Sequence, residues 1–348
     1  MADYPFISIV VPVYNVSEYV DECLQSIASQ DYQGRIECII VDDCSQDDSM
    51  DHVHRFVDNY KGGISFALIS HSSNKGLSAA RNTGLKHISG EYLLFIDSDD
   101  RIPSDSISSL VTPLETESHD IVVGSFKSFG IREMSGPCIP GGALFRGDEV
   151  YQHYIIGEWG LSCWGKLYRA ELLLSNSLFF YEDVLFEDFL WGMEVILEAT
   201  SLVVVDTVTY LYRIRSGSIT TSNSRENKKE KLRSSVIVLS RIQRALFAHG
   251  LKGDASTSDY LEDCRIGMFS YARYDWPLFK KAYFDLRCEM PVAWRERFQV
   301  NKWKIGRQIR DSHLSFNPPI GVILYFVWWH LCRLSRKFKR IINKHLFS

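Results

Sequence analysis

Apolar and polar positions alternate in blocks over the first hundred residues. Phe6–Val13 is a β-rich apolar run, and Ser17 stands as an N-cap for a helix reaching about Ser29. Ile36–Val41 is a second apolar run and ends in Asp42-Asp43. Asp47 and Asp48 open a helical stretch to about Tyr60. Ile64–Ile69 reads as a third strand, Gly76–Ile88 as a helix and Tyr92–Ile96 as a fourth strand. Continuous apolar runs between helical segments predict a mostly parallel sheet with both faces covered. Ligands of such sheets bind beyond the carboxyl ends of the strands. The polar residues gather at those ends, as Tyr14-Asn15, Asp42-Asp43 and Asp97-Ser98-Asp99-Asp100.

Residues 101–165 read as less regular, with Gly136-Pro137 and Pro140-Gly141-Gly142 marking loops. A helix is expected over Glu187–Ala199 and a strand over Leu202–Val205. Arg213–Thr221 is polar and reads as a loop able to close over a ligand. Helices are expected from Lys228 to about His249 and again from about Tyr260. This organisation divides the chain into an α/β domain over 1–221 and a helical extension over 222–348.

Charge sharpens that division. Ten of the 39 basic residues, but one of the 43 acidic ones, follow Val300. The tail therefore carries +9 and the body −13, against −4 for the whole chain. Within the tail, Ile320–Cys332 is mostly apolar and includes Trp328-Trp329. In the segment that follows, Leu334, Phe338, Ile341, Ile342 and Leu346 fall within an arc of roughly 140° on a helix. Arg333, Arg336, Lys337, Lys339, Arg340 and Lys344 occupy the opposite arc. A basic amphipathic helix beside a Trp-rich run fits an anionic membrane surface, over about 318–348. The alternative is a helix docked on the protein's own core. The acidic body argues against nucleic acid. No stretch of roughly 18 apolar residues predicts a membrane span.

Hydrophobic content of 45% and charged content of 24% exclude a disordered or fibrous chain. The eight cysteines form no Cys-x-x-Cys pair, so neither a zinc site nor a disulfide framework is expected, and the setting is a reducing cytosol. Phe6–Val13 is too short for a signal sequence.

The chemistry-bearing residues follow the strand ends. Asp97 and Asp99, alternating after a buried strand, suit a hard divalent cation, Mg²⁺ or Mn²⁺, shared with substrate phosphates. Asp42 or Asp43 is placed to accept from a base N–H or a ribose hydroxyl. Arg81 either reaches a phosphate, buttresses the acidic cluster or pairs structurally with an Asp. The first strand lacks a G-x-G-x-x-G and the chain lacks a P-loop, which disfavours dinucleotide and P-loop enzymes.

Together, Pro12-Val13-Tyr14-Asn15, Val41–Ser45, Asn74–Gly84, Phe95–Asp100, Trp164-Gly165-Lys166-Leu167-Tyr168, Phe186-Glu187-Asp188 and the block Tyr212–Thr220 resemble a family 2 glycosyltransferase of the GT-A fold. The resemblance covers about residues 6–221. It implies an α/β, Rossmann-like, mostly parallel sheet flanked by helices, with a C-terminal membrane-associating helical extension. It further implies an inverting, metal-dependent hexosyl- or N-acetylhexosaminyltransferase using a nucleotide sugar, with UDP as the expected nucleotide. The implied acceptor is a polyprenyl-diphosphate-linked saccharide at the cytoplasmic face of the inner membrane, in surface polysaccharide assembly. On matching positions, Pro12, Tyr14, Asn15, Asp42, Asp43, Lys75, Arg81 and Asp97 would hold the donor, and Asp97 and Asp99 the metal. Arg213, Arg215 and Ser218 would meet the diphosphate. Asp188 would be the base; the neighbouring Glu182-Asp183 pair makes Asp183 the alternative. Glu187 and Trp191 would face the acceptor, although Trp191 suits plain core packing equally. Cys44 stands where the family usually has Gly. Two rival readings remain: a sugar-phosphate nucleotidyltransferase, which should carry a Gly-rich basic loop after the first strand, and a non-catalytic scaffold, against which the intact acidic residues argue.

Overall fold

The computed structural model describes residues 4–131, 133, 136, 140–215, 224–289, 320–321, 323–324 and 326–328. The chain divides into two compact units, Met1–Ser222 and Asn223–Ser348.

In the first unit the strands β1 (Ile7–Val13), β2 (Ile36–Asp42), β3 (Ser65–Ser70) and β4 (Tyr92–Phe95) are joined by helices α1 (Val20–Ala28), α2 (Ser49–Asn59) and α3 (Leu77–Leu85). Each expected strand and helix of this region is present. Every residue of β1 and β4 is buried, because helices cover the faces of the parallel sheet. One expected start is wrong. Ser17 does not cap α1; its backbone N–H donates instead to Asp47 Oδ2 at 3.0 Å, and the helix begins at Val20 after Tyr19.

The irregular middle hides more structure than its sequence predicts. It contains α4 (Ser106–Val111), β5 (Ile121–Gly130), β6 (Leu144–Arg146) and α5 (Asp148–Ile155), followed by β7 (Lys166–Arg169), α6 (Ala170–Ser175), α7 (Glu187–Glu198) and β8 (Ser201–Ile214). The strand expected at Leu202–Val205 runs on to Ile214, so Arg213 belongs to a strand rather than a loop. The eight strands form one sheet in the order β3-β2-β1-β4-β7-β5-β8-β6. The half from β3 to β4 is parallel; β7 lies antiparallel to both β4 and β5, and β5 is parallel to β8.

Register places the site. Val13 pairs with Asp42 and Asp42 with Ser70, so β1, β2 and β3 end level with one another. The Asp43 N–H donates to Val13 O at 2.9 Å and the Ile96 N–H to Val10 O at 3.1 Å, which carries the two acidic turns out beside each other. Helix α3 lies close on β1 because its facing residues are small: a Cβ on Gly84 would stand 2.3 Å from Val10 Cγ1.

The second unit contains α8 (Arg225–Ala248), α9 (Ala255–Phe269), a short 3-10 turn (Ala272–Tyr274) and α10 (Trp276–Glu289). Ser224 caps α8 by accepting from the Asn227 N–H at 3.0 Å, and Asp254 caps α9 by accepting from the Thr257 N–H at 2.6 Å. The second helix thus starts five residues before the expected Tyr260. Leu232, Leu239, Ile242 and Leu246 of α8 are buried at helical spacing. Ile320, Ile323, Leu324 and Val327 are exposed on a helical stretch, while Phe326 meets Trp276 edge-on at 5.6 Å. Among the described residues no helix is long and apolar enough to cross a membrane. The basic amphipathic helix expected over 333–348 lies outside the described residues.

Candidate active site

The site is assembled at the carboxyl ends of β1, β2 and β4, with β8 and α7 closing it. Pro12 is buried within β1, while Tyr14 and Asn15 are exposed just beyond it. Asn15 has a φ of 50°, and its Oδ1 accepts from the Gln46 N–H at 2.8 Å, tying the first turn to the second. Cys44 has a φ of 64°, the left-handed conformation that favours glycine, at the position where the resemblance leads one to expect Gly.

The two aspartates after β2 do different work. Asp43 is buried and fully engaged: it accepts from the N–H groups of Lys75 and Gly76 at 2.8 and 2.7 Å and pairs with His71 Nδ1 at 2.7 Å. It therefore holds the loop that leads into α3. Asp42 accepts from the Ser45 N–H through Oδ1 at 2.9 Å. Lys75 is exposed beside them.

Arg81 is the residue that joins distant parts of the chain. Its guanidinium is buried, with a side-chain exposure of 3%. Nη2 donates to Asp97 Oδ1 and Nη1 to Glu187 Oε1, both at 2.7 Å. The ring of Phe180 lies 5.3 Å from its guanidinium carbon. Arg81 thus pairs with an Asp and also with Glu187, an arrangement that fits both the structural pairing and the buttressing of the acidic cluster. Burial opposes the charge of Arg81, but Cys163, Asp97 and Glu187 beside it outweigh that cost and hold its pKa above the ordinary value.

Behind Asp97, the turn Asp97–Asp100 is bolted to β8. Asp100 is fully buried and accepts from Tyr210 Oη at 2.7 Å and from the Arg213 N–H at 2.6 Å. Burial and its two acidic neighbours push its carboxyl well above the usual range. Tyr210 Oη accepts in turn from the Asp97 N–H at 3.1 Å. Arg213 Nε donates to Asp99 O at 2.8 Å, and its Nη2 to Glu22 at 2.9 Å. Arg215 Nε donates to Asp99 Oδ2 at 2.7 Å. Trp164 stacks on Tyr210 with ring centroids 4.3 Å apart and rings 12° from parallel, so the Trp-Gly-Lys segment supports this tyrosine from behind. Sequence reasoning missed Tyr210 and Asp100. The Asp-Asp doublet was visible, but nothing in the sequence separates a ligand from a bolt.

The carboxylates of Asp97 and Asp99 are 24% and 22% exposed. Burial first and the charge of Asp97 second raise the Asp99 carboxyl, with Arg215 opposing them. Two like charges at one strand end are what a divalent cation relieves. Among the described residues no cluster of three His, Cys, Asp or Glu forms a complete metal site. The pair therefore fits a cation whose remaining ligands are substrate oxygens and water, the habit of Mg²⁺.

Glu187 and Asp188 open α7 and are partly buried. Phe186, just before them, has a φ of 65°, a rare conformation for a bulky side chain, at the N-cap of α7. Burial first, then the charge of Glu187, raises the Asp188 carboxyl to about 7; Arg81 and Lys166 oppose the shift. Lys166 is buried, donates to Ser162 O at 2.5 Å and is pulled down to about 8 by that burial. Asp183 sits on an exposed turn with a φ of 60°, and its neighbour Glu182 accepts from Asn82 at 3.1 Å rather than from Arg81. Trp191 is a correction to the expected acceptor platform. It is completely buried, stacks on Phe180 at 4.5 Å and donates from Nε1 to Leu178 O at 2.8 Å. Its ring faces are spent on the core. Ser218 lies outside the described residues.

Comparison with known proteins meets this geometry. The sequence model described as "Glycosyl transferase family 2" matches residues 8–136. Glycosyltransferase GlyG of Streptococcus pneumoniae is 32% identical over 226 residues, which cover 61% of this chain and 72% of that one. The chain belongs to glycosyltransferase family 2. Another family member, glycosyltransferase GlyA of S. pneumoniae, is 36% identical over 225 residues; the match covers 61% of this chain but 31% of GlyA. Among solved structures, Staphylococcus aureus TarS in complex with UDP-GlcNAc superposes with a TM-score of 0.71 at 21% identity, covering 94% of this chain and 92% of that one. That likeness shows the fold, the GT-A arrangement of a mostly parallel sheet with flanking helices. Within the family match fall Pro12, Asp42, Asp43, Arg81, Asp97 and Asp99, while Asp188 and Arg215 lie beyond it.

Proposed function

We propose that this chain is an inverting glycosyltransferase that moves a sugar from a UDP-linked donor to a hydroxyl of a saccharide acceptor. The observation that carries the reading is the Arg81 bridge, which brings the Asp97–Asp99 pair and the Glu187-Asp188 pair into one site from opposite ends of the unit. The structural neighbour TarS, solved with UDP-GlcNAc and with UDP, supports a UDP-linked donor.

In this reading the donor lies over the strand ends. Asp42, rather than the fully engaged Asp43, receives the nucleobase, and the Tyr14–Asn15 turn borders it. Asp97 and Asp99 would hold Mg²⁺ or Mn²⁺, which when bound neutralises charge on the departing diphosphate. Asp188 accepts the proton of the acceptor hydroxyl. The acceptor oxygen forms its bond to the anomeric carbon as the bond to the diphosphate oxygen breaks, and the diphosphate leaves with the electron pair. One displacement inverts the anomeric centre. Arg215 and Arg213 supply positive charge beside the leaving group. With Trp191 buried in the core, the acceptor is recognised by other groups, Glu187 among them.

The reading is tested by incubating the protein with a panel of UDP-sugars and saccharide acceptors and measuring released UDP, with and without Mn²⁺. Release that needs both the cation and an acceptor is expected. Folded protein that neither binds nor turns over any UDP-sugar would sink the assignment.

The acceptor is proposed to be a polyprenyl-diphosphate-linked saccharide, reached from the cytoplasmic face of a membrane. Two features support this. Ile320, Ile323, Leu324 and Val327 expose an apolar face, and six basic residues follow between positions 333 and 344. Flotation with phosphatidylglycerol-containing liposomes is expected to carry the full chain upward. Replacing Arg336, Lys337, Lys339 and Arg340 with Gln should leave most of it at the bottom, since each basic residue contributes about 1 kcal/mol. Equal partitioning of the two proteins would remove the membrane from the reading.

A further inference from the structure

Asn82 follows Arg81 on α3 and is buried, with 5% of its surface exposed. Its amide grips the backbone of Phe180 on both sides. Nδ2 donates to Phe180 O at 2.8 Å, and Oδ1 accepts from the Phe180 N–H at 2.7 Å. Opposed residues of an antiparallel ladder exchange the same two bonds, so the side chain stands in for a strand. Nδ2 also donates to Glu182 Oε1 at 3.1 Å, which engages both donors of the amide.

The gripped residue is the seat of the helix that carries Asp188. The Phe180 ring stacks on Trp191 of α7, with centroids 4.5 Å apart and planes 11° from parallel. It meets Phe95, the last residue of β4, edge-on at 5.4 Å. Trp191 Nε1 donates to Leu178 O at 2.8 Å, and Trp191 stands about one helical turn beyond Asp188. Helix α3 therefore holds α7 at two points. Arg81 takes its first residue, Glu187, by charge, and Asn82 takes Trp191 through Phe180. One fixed point lets a helix pivot, whereas two set its direction.

We propose that Asn82 is a positioning residue for the transfer: its clamp on Phe180 fixes where Trp191 sits, and through α7 where the Asp188 carboxylate stands against the Asp97–Asp99 turn. This rests on the reading of Asp188 as the base. A base works only within hydrogen-bond reach of the proton it takes, and a displacement of about 1 Å costs on the order of a hundredfold in rate. The donor side is held by other bonds. Asp97 is fixed by Arg81 and Tyr210, and Asp42 by its own turn. Loosening the clamp therefore moves the base and leaves the nucleotide site in place.

The test compares kcat with UDP affinity in variants of the full chain. kcat is measured on the donor–acceptor pair that releases UDP fastest in the panel above, and the Kd of UDP by calorimetry with Mn²⁺ present. Asn82→Asp keeps the volume but turns a carboxylate oxygen towards Phe180 O and Glu182. Its kcat should fall about a hundredfold while its UDP Kd stays within about twofold of native. Phe180→Leu keeps the backbone bonds and removes the stacked ring, so combining it with Asn82→Asp should cost little beyond the larger single loss. Ser8→Ala is the control. Ser8 is buried near the start of β1, where its Oγ accepts from the Gly90 N–H at 2.8 Å, and its loss should lower the urea midpoint while leaving kcat native. Native kcat in Asn82→Asp would overturn the proposal. So would a UDP Kd weakened as much as kcat, losses that multiply in the double variant, or an equal fall of kcat in Ser8→Ala. If Asp188→Asn keeps native kcat, the base itself is misassigned, and its seat falls with it. Should Asn82→Asp not fold, native kcat in Asn82→Ser, which lacks the two-sided grip, would overturn the proposal in its place.

Discussion

Asp188→Asn protein should lose between about a hundred- and ten-thousandfold of its UDP-releasing activity towards an acceptor while binding UDP as the native protein does. The amide keeps the volume and removes the basic lone pair. The native pH profile should carry the same signature. Asp188 is faced by Glu187 on its own helix, Arg81 of α3, Asp97 after β4, and Lys166, Tyr168 and Cys163 on and before β7. Burial and the Glu187 charge win, and the carboxyl titrates at about 7. A base must be deprotonated, so kcat/KM should fall about tenfold per pH unit below that value and level off above it. Stability moves the other way. A folded-state pKa above the ordinary carboxylate value means that the folded protein binds the proton more tightly. The contribution from Asp188 is therefore complete at low pH and lost as pH rises through about 7. Asp188→Asn should be inactive yet more resistant to urea than the native protein at pH 8. Full activity in this variant, or an activity profile flat from pH 5 to 8, would remove Asp188 as the base.

Arg81→Met should be the most damaging single change in the first unit. It deletes a buried charge whose two partners, Asp97 and Glu187, then face each other uncompensated. Breaking a buried pair from one side costs about 3–5 kcal/mol, a large part of the roughly 5–15 kcal/mol that keeps a domain folded. A urea titration should show the midpoint falling accordingly. Arg81→Lys should recover little, because one ammonium cannot reach two carboxylates with the geometry of a planar fork. A midpoint within about 1 kcal/mol of native for Arg81→Met would show that water reaches the pair freely.

The parallel half of the sheet was legible from sequence because strands covered on both faces are continuous apolar runs, and β1, β2 and β4 are such runs. The mixed half was not. β7 is four residues long, and the second half of β8 mixes Thr, Tyr and Arg with its apolar residues, which reads as a polar segment. The acidic positions were legible as a set, since strand ends are where such a sheet binds ligands. Their division of labour was not. Asp42 and Asp43 are adjacent and chemically identical, yet one caps a loop and the other keeps an oxygen in reserve; only the fold of residues 71–76 around Asp43 separates them. Trp191 failed for a related reason. A tryptophan one helical turn from a carboxylate pair serves a sugar or a core equally well, and the stacked ring of Phe180 decides for the core.

The place of β8 in the sheet has a consequence for the order in which the protein is made. β5 leaves the ribosome some eighty residues before β8, its parallel partner, and until then has β7 on one side and an open row of amides on the other. During the same interval the turn at Asp97–Asp100 lacks the Tyr210 hydroxyl and the Arg213 N–H that hold Asp100. A nascent chain stopped short of β8, at residue 200, therefore has four parallel strands but an unfastened acidic turn. The turn that gathers the acidic residues is fastened only when the last long strand joins the sheet.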